Sequence, residues 1–356
     1  MSTVSSVCCY PVRAPLHTPF VTALRRTTTV ESLLVEIRDT DGAVGYGEAP
    51  QVWRVTGEST DGARACVEGP LSAAVLHGDP EDLQPMLRKV QASVVGNPGA
   101  RAAVDVALHD LVARRRGVSL QRLLGGTSHR VGTDVTLAAG DVAGSVTSAQ
   151  ERVKQGFTML KLKVGTDAAA DVGRVSAVRA AVGSDVRLRV DANQGWTVRE
   201  AITVIGRLED AGADLELVEQ PVAARDLDGL ARVTAAVSTP VMADEAVFDL
   251  HDLLELIRRG AADLVNVKLA KCGGLGPATA LLAVAGAAGL GTIIGSMMET
   301  AVGVGAAAAL AAAHGCTNVA DLDAAWWAAE PVVKGGIRYE QGLVVLPTAP
   351  GLGVSR

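Results

Sequence analysis

The chain has 356 residues, of which 48% are hydrophobic and 20% are charged. This composition supplies enough apolar surface for a large core and excludes an intrinsically disordered chain. The formal net charge of −6 and the isoelectric point near 5.6 exclude the basic surface of a general nucleic-acid-binding protein. Length predicts two domains, or one barrel with an addition, since domains hold roughly 150 residues each.

Cysteine usage and the apolar segments bear on location. The five cysteines are odd in number and lack the spacing of a zinc site, so we expect reduced thiols in a cytoplasmic protein. No basic segment followed by an apolar run opens the chain, and we predict no secretory signal. The most apolar stretch, at 301–313, is too short to cross a bilayer. We expect a packed helix there and no membrane partner.

Residues 1–125 have the pattern of an α+β capping domain. Apolar and β-branched residues at 32–37 and 43–46 flank an Asp-Gly pair, which predicts a β-hairpin. Helical patterns follow at 59–77, 80–91 and 99–116. The Gly-Gly pair at 125–126 ends this region.

From about residue 131, short β-strands alternate with segments long enough for helices. The candidate strands are 131–137, 157–163, 186–191, 215–219, 240–244, 263–268, 291–295 and 317–321. Such alternation predicts a parallel sheet. Eight units suit a closed (β/α) barrel at 126–330, although an open doubly wound sheet also alternates. We expect the segment 331–356, with a strand at 342–347, to return to the capping domain.

Acidic residues interrupt three successive strands at their carboxyl ends. Asp191, Glu219 and Asp244 are separated by 28 and 25 residues (191 to 219 and 219 to 244), about one βα unit each. A barrel gathers such ends at one mouth, where barrel active sites lie. Each acid taken singly is also typical of a helix N-terminus. Three together would repel one another without a cation, and oxygen ligands alone favour Mg²⁺.

Three lysines are placed to act on a substrate at the same mouth. Lys161 and Lys163 lie two residues apart, so one strand face carries both. A solvated strand face is the alternative, but inside a barrel two ammonium groups need partners. We expect each ammonium to lower the pKa of the other, which suits a base near neutral pH. Lys268 should lie across the pocket, and two bases flanking one carbon predict inversion of a stereocentre.

The chain resembles the muconate-lactonizing subgroup of the enolase superfamily. The matching segments, in order, are LKLKVG (160–165), VDANQGW (190–196), VEQP (218–221), ADE (243–245) and NVKL (266–269). The resemblance implies an α/β fold with a TIM-type barrel in the modified (β/α)7β form and an N-terminal α+β capping domain. Superfamily sites combine a Lys or His base with Mg²⁺.

The resemblance also implies roles for individual residues. Asp191, Glu219 and Asp244 would bind Mg²⁺, Lys163 and Lys268 would be the two acid/base lysines, and Lys161 would help to hold the substrate carboxylate. The mandelate-racemase branch uses a histidine after the seventh strand. No histidine lies between His251 and His314, which disfavours that branch.

Two further features resemble dipeptide epimerases. Asp321 and Asp323 match their Asp-x-Asp signature, and two carboxylates can hold an α-ammonium group, although a surface acidic turn is the alternative. The loop TPFVTALR (18–25) resembles that of L-Ala-D/L-Glu epimerases, where the arginine aligned with Arg25 meets the acidic side chain of the dipeptide. A solvated arginine beside Arg26 is the alternative. The remaining expected substrate contacts are Thr136, Asn193, Ser296 and Met298.

The sequence departs from the family pattern after Asp323. A proline usually follows soon after this position, whereas here the chain continues Ala324, Ala325, Trp326, Trp327. The two tryptophans are expected in the core, at a subunit interface or at the pocket, which leaves the preferred dipeptide open. Relatives often form homo-oligomers, and the resemblance extends that expectation to this chain.

Together these observations predict a Mg²⁺-dependent isomerase. It would epimerise a dipeptide at the α-carbon of the C-terminal residue through a metal-stabilised enediolate, in the manner of L-Ala-D/L-Glu epimerases. The alternative is another reaction of the subgroup: cycloisomerase, o-succinylbenzoate synthase or N-acylamino acid racemase. A dinucleotide-dependent oxidoreductase is disfavoured because the loose Gly-rich match at 303–308 follows no strand. An inert binding protein is disfavoured because the lysines and acids are all present.

Overall fold

The computed structural model describes residues 2–23 and 25–356. Leu24, within the predicted loop at 18–25, and Met1 lie outside the described residues. The described chain contains a three-stranded antiparallel sheet, a seven-stranded parallel sheet and two small antiparallel sheets.

The N-terminal sheet has the strand order β1 (Val4–Val21), β2 (Arg26–Asp39) and β3 (Val44–Pro50). The predicted hairpin is confirmed as β2 and β3, but the long first strand was not predicted. Its prolines at positions 11, 15 and 19 argue against a strand. They are tolerated because β1 is an edge strand, and its register is irregular between Pro15 and Phe20.

Five helices follow in the N-terminal region: α1 (Thr60–Cys66), α2 (Ser72–Val75), α3 (Leu83–Ala92), α4 (Pro98–Arg115) and α5 (Leu120–Leu123). A single helix over 59–77 was wrong, because a π-helical turn (Val67–Leu71) containing Pro70 separates α1 from α2. Proline lacks the N–H that a continuous helix requires. Helix α4 packs tightly on β3, where a Cβ added to Gly47 would lie 1.9 Å from the carbonyl oxygen of Ala103.

The parallel sheet runs in chain order through β5 (Val135–Leu137), β6 (Met159–Lys163), β7 (Arg187–Asp191), β8 (Leu215–Glu219), β9 (Val241–Ala243), β10 (Leu264–Lys268) and β11 (Gly291–Gly295). Its helices are α6 (Val142–Lys154), α7 (Ala168–Val182), α8 (Val198–Asp210), α9 (Leu227–Ala236), α10 (Leu250–Arg259), α11 (Leu269–Cys272), α12 (Leu275–Ala287) and α13 (Ala301–His314). The predicted α/β architecture, a barrel-type parallel sheet with an N-terminal α+β domain, is confirmed. The predicted packed helix at 301–313 is α13, whose residues are mostly buried.

The predicted eighth strand at 317–321 is wrong as a regular strand. Within the described residues this segment makes two isolated parallel bridges, Thr133 with Ala320 and Gly295 with Asp321. Because Gly295 ends β11 and Thr133 precedes β5, the segment links the two edges of the sheet. It thereby carries Asp321 to the same mouth as the strand ends.

The predicted strand 131–137 is also divided. Its first part, β4 (Arg130–Gly132), pairs with a C-terminal strand, while β5 pairs with β6. The division follows from the partners of the intervening amides, since Thr133 N donates to Gly342 O and Asp134 N donates to Ala320 O. One segment therefore serves two sheets.

The C-terminal segment forms β12 (Lys334–Gly335), β13 (Arg338–Glu340), β14 (Leu343–Val345) and β15 (Val354–Ser355). Strand β14 pairs with β4 and β13, and β12 pairs with β15. Two side chains of α4 hold its end, because Asp110 accepts from Leu352 N at 2.6 Å and Arg114 donates to Val354 O at 2.9 Å. Among the described helices, none has the length and apolar character needed to cross a membrane.

Candidate active site

A pocket opens at the carboxyl ends of the parallel strands, beside the β1–β2 loop of the N-terminal domain. Eleven of the thirteen predicted site residues line it: Arg25, Thr136, Lys161, Lys163, Asn193, Asp244, Lys268, Ser296, Met298, Asp321 and Asp323. The other two, Asp191 and Glu219, are 0% exposed and contact the pocket lysines from beneath. The parallel register explains this gathering, since Lys163 pairs with Asp191 and Asp191 pairs with Glu219 across neighbouring strands.

Two lysines on β6 bind carboxylates on one wall of the pocket. Lys163 Nζ lies 2.6 Å from Asp191 Oδ2. Lys161 Nζ lies 2.6 Å from Asp321 Oδ2 and 3.0 Å from Glu219 Oε2. Both side chains point to the same face of the strand, as their spacing predicts. A buried ammonium group needs such partners, and here each one has a carboxylate.

The third predicted lysine is on the opposite wall. Lys268 ends β10, which is separated from β6 by β7, β8 and β9. Its Nζ lies 2.7 Å from Asp244 Oδ2. The other oxygen of Asp244 accepts from Lys271 Nζ at 2.6 Å, and Lys271 also donates to Asn266 O. Asp244 is therefore held between two ammonium groups.

The buried acids have strongly perturbed pKa values. Burial, and then the charge of Asp191, raise the pKa of Glu219 to about 7. Burial, and then the charge of Asp244, raise the pKa of Glu245 to about 8. Burial would raise the pKa of Asp244 as well, but the ammonium groups of Lys268 and Lys271 outweigh it and the pKa is lowered.

The expectation that neighbouring ammonium groups lower the lysine pKa values is wrong for Lys161. Burial lowers its pKa, but Asp321, Glu219 and Asp191 outweigh burial and raise the pKa well above the ordinary value. Burial lowers the pKa of Lys268 as well, but the charges of Asp244, Glu219 and Asp321 together outweigh burial and the pKa is raised. Opposite charges at hydrogen-bond distance dominate a like charge farther along the strand.

The three predicted metal acids fit a hard cation by their chemistry. They offer only buried oxygen donors at neighbouring strand ends, and their mutual repulsion contributes to the raised pKa of Glu219. Buried oxygens of Asn193, Glu245 and Asn266 lack a hydrogen-bond partner nearby. Within residues 2–23 and 25–356, no three His, Cys, Asp or Glu side chains converge ready to hold a metal. The three acids are turned to the lysines instead, so metal binding would require these carboxylates to exchange partners.

Asp321 and Asp323 form the side of the pocket next to β5. Asp321 pairs with Lys161, whereas Asp323 Oδ2 accepts from Thr136 N at 2.7 Å and from Trp327 Nε1 at 2.9 Å. Both acids are about 95% buried, at 6% and 5% exposure, so the alternative of a surface acidic turn is excluded. Thr136 contributes its backbone amide to the site.

Arg25 also lines the pocket, as do Ser296 and Met298 on the segment after β11. Burial lowers the pKa of the Arg25 guanidinium, and the charge of Glu245 opposes that shift. A neighbouring cavity shares Arg25, Arg54 and Met298 with the pocket and is also lined by Arg13 and Arg26. The side of the pocket next to this cavity is therefore basic.

Several residues of the site were not identified from the sequence. Glu245, Arg54 and Phe20 line the pocket, Lys271 holds Asp244, and Trp327 holds Asp323. For Lys271 a signal existed, since it follows Lys268 by three residues at the start of a helix. Glu245 directly follows Asp244 and Trp327 follows Asp323 by four residues, so closeness in sequence was a signal for these two as well. Arg54 and Phe20 depend on contacts between segments far apart in the chain, which spacing does not reveal.

These observations define a class: an α/β protein with a barrel-type parallel sheet and with paired lysines and acids in a pocket at the carboxyl ends of its strands. Family models agree with it. Residues 4–125 match the mandelate racemase / muconate lactonizing enzyme N-terminal domain, and residues 144–355 match the enolase C-terminal domain-like family. The chain therefore belongs to the mandelate racemase/muconate lactonizing enzyme family of the enolase superfamily, as its motifs predicted.

Individual relatives are similar over nearly their whole length. The L-Ala-D/L-Glu epimerase of Bacillus subtilis is 42% identical over 96% of this chain and 94% of its own. Its substrate-liganded structure has a TM-score of 0.96 and covers 99% of this chain and 98% of that chain, at 41% identity. The dipeptide epimerase of Enterococcus faecalis, solved with Mg and the dipeptide L-Leu-L-Tyr, has a TM-score of 0.95 and 40% identity to this chain. The match covers 99% of this chain and 100% of that chain.

Proposed function

We propose that this protein is a Mg²⁺-dependent isomerase that epimerises dipeptides at the α-carbon of the C-terminal residue, with L-Ala-D/L-Glu as the preferred type. The observation that carries the proposal is the placement of Lys163 and Lys268 on opposite walls of one pocket whose third side carries Asp321 and Asp323. Inversion at a carbon needs two bases, and a free dipeptide brings an ammonium group that acids can bind.

In this proposal the lysines move the proton. One of Lys163 and Lys268 removes the α-proton from one face of the substrate, and the other returns a proton to the opposite face. A lysine acts as the base only when it is neutral. Asp244, which now pairs with Lys268 Nζ, favours the charged form of that lysine. Its engagement elsewhere would release Lys268 for catalysis.

Asp191, Glu219 and Asp244 would hold the magnesium ion. When bound, Mg²⁺ supplies positive charge that stabilises the negative charge developing on the substrate carboxylate. Lys161, already 3.0 Å from Glu219 Oε2, would hold the same carboxylate, and Asn193 would contact the substrate beside it. Thr136, Ser296 and Met298 would shape the wall around the dipeptide.

Arg25 would select the side chain of the C-terminal residue. Arg25 lines the pocket on its basic side, together with Arg54, and a guanidinium recognises a carboxylate through two parallel hydrogen bonds. This is what supports a glutamyl substrate over an apolar one. Similarity alone does not decide, because relatives acting on L-Ala-D/L-Glu and on hydrophobic dipeptides are 42% and 41% identical to this chain.

We further propose a TIM-type barrel at 126–330, with 1–125 as the capping domain and 331–356 as the segment that returns to it. The contacts of Asp110 and Arg114 with the C-terminal segment support this division. A cytoplasmic location and a homo-oligomer complete the proposal, on the grounds of cysteine usage and family resemblance.

The test follows the α-proton by NMR in D₂O with Mg²⁺ present. The substrates are L-Ala-L-Glu, L-Ala-L-Phe and L-Ala-L-Lys, and N-succinyl-Phe serves as a control without an amine. We expect loss of the α-proton signal of the C-terminal residue and appearance of the L,D diastereomer, fastest with L-Ala-L-Glu. EDTA should abolish both changes, while the far-UV circular dichroism stays the same because each acid is paired with a lysine without metal.

The outcomes separate the rival reactions. Exchange of N-succinyl-Phe without exchange of any dipeptide would replace the epimerase by an N-acylamino acid racemase. Exchange that persists in EDTA would remove the metal from the proposal. No exchange with any compound would favour a binding protein without this activity.

A further inference from the structure

The aromatic cluster beside the pocket contains the two tryptophans by which the sequence departs from its family. Trp326 and Trp327 follow Asp323 in a 3₁₀ turn (Ala324–Trp327). Trp327 is 2% exposed, and its indole N–H reaches back to Asp323 Oδ2 at 2.9 Å. Trp326 is only half-buried and packs against Arg152, whose guanidinium lies 4.5 Å from its ring centre.

The hydrogen bond to Asp323 leaves one carboxylate oxygen for a ligand. Thr136 N and Trp327 Nε1 both donate to Oδ2, and no hydrogen bond between residues in the described part of the chain uses Oδ1. A carboxylate held at one oxygen by two donors keeps a fixed orientation, while the other oxygen can meet a substrate ammonium group.

The ring of Trp327 also connects this acid to the part of the pocket that holds Lys163. It packs edge-on against Phe20 with ring centres 5.3 Å apart, and stacks on His17 at 5.2 Å. Phe20 in turn lies 5.8 Å from Lys163 Nζ. One buried side chain thus contacts both the acid that would bind the ammonium group and the aromatic ring beside the candidate base.

We propose that Trp327 is a positioning residue for recognition of the substrate ammonium group, acting through its indole N–H on Asp323. The inference rests on the proposed function and goes beyond it, because it assigns to Trp327 the orientation of one acid. Trp326, its neighbour in the same cluster, has no such contact and fills space against Arg152.

The experiment compares Trp327→Phe with Trp326→Phe, since phenylalanine keeps a ring but removes the N–H. Substrates are L-Ala-L-Glu and its N-acetyl derivative, which lacks the ammonium group. For Trp327→Phe we expect KM for L-Ala-L-Glu to rise about tenfold with kcat changed less than about twofold, since a hydrogen bond to a charged group is lost. The slower exchange of the N-acetyl derivative should not change, and Trp326→Phe should match the wild type.

Other results would overturn the inference. An unchanged KM in folded Trp327→Phe, or an equal loss with both substrates, would leave Trp327 with a packing role only. Absence of exchange in the wild type would instead contradict the proposed function itself.

A second measurement needs no variant activity. We expect the ¹⁵N–¹H resonance of the Trp327 indole in the wild-type protein with Mg²⁺ to shift on addition of L-Ala-L-Glu and to stay in place with the N-acetyl derivative. The same resonance position with and without dipeptide would contradict the inference.

Discussion

Two groups of buried charge lie on the same face of strand β7, two residues apart. Asp191, at the carboxyl end, belongs to the pocket with its lysines. Arg189, one step below, donates to Asp134 at 2.9 Å, to Glu216 at 2.5 Å and to Val319 O at 2.7 Å. Both groups are buried and both pair acids with bases. They differ in access, since Lys161 and Lys163 border the pocket whereas Arg189 and Asp134 are fully buried.

The difference shows that burial of charge does not by itself mark a functional site. Each of the three nitrogens of the Arg189 guanidinium donates to a fixed partner, and the group is fully buried, so it joins strands and is out of reach of a ligand. Unpaired buried oxygens occur in both groups, on Asp134 in the lower one and on Asn193 and Glu245 in the upper one, but only those of Asn193 and Glu245 belong to residues that line the pocket. Unsatisfied oxygens that border an opening are what point to a ligand.

The largest expected effect separates the two groups by activity. Lys268→Ala should lower the rate of epimerisation by roughly 10²–10⁴-fold or more, because an acid/base group is lost. Arg189→Met, assayed at a temperature where it is folded, should keep a rate within about tenfold of the wild type. NMR in D₂O measures both. An active Lys268→Ala would remove the upper group from catalysis.

The next effect separates them by stability. Arg189→Met should reduce the free energy of unfolding by about 3–5 kcal/mol, because the fully buried Asp134 would lose its ion-pair partner. Urea unfolding followed by circular dichroism measures it. If Arg189→Met proved as stable as the wild type, the lower group would not be a structural support and the comparison would fail.

A smaller effect tests the rim of the pocket. Arg25→Gln should lower kcat/KM for L-Ala-L-Glu by about 10–100-fold, since a charged hydrogen bond to the substrate is lost, and should leave L-Ala-L-Phe nearly unchanged. Arg26→Gln is the matched control, because Arg26 lines the neighbouring cavity but not the pocket. Equal losses with both dipeptides would argue against selection by charge.

The smallest effect concerns a charge pair far from both groups. Burial would raise the pKa of Asp39, but hydrogen bonds from Arg115 and Ala43 N outweigh it and the pKa is lowered. A carboxyl group whose pKa is lowered by folding stabilises the folded chain at pH values above its ordinary pKa of about 4. This stabilisation is lost as the pH falls through the pKa of the folded state. Arg115→Gln should therefore lower the urea midpoint at pH 7, and the difference from wild type should shrink at pH 3. An unchanged difference would contradict this.

The sequence by itself determined the repeating units and most of the pocket. Strand ends in a parallel sheet meet at one edge, so regular spacing was sufficient to bring Lys163, Asp191, Glu219 and Lys268 together. The helix at 301–313 and the hairpin between β2 and β3 were also predictable, because each depends on the residue pattern of one short segment. Such features depend on short-range periodicity, which the order of residues contains directly.

Tertiary structure decided what periodicity does not encode. Strand β1 exists despite three prolines because it lies at a sheet edge, and the segment at 317–321 makes only bridges because it joins two edges rather than extending a ladder. The same holds within the site. The raised pKa of Lys161 depends on acids 30 to 160 residues away, and the hydrogen bond from Trp327 to Asp323 depends on which way a turn faces. The order of residues supplies these groups, but only packing sets the distances between them and therefore their pKa values and hydrogen bonds.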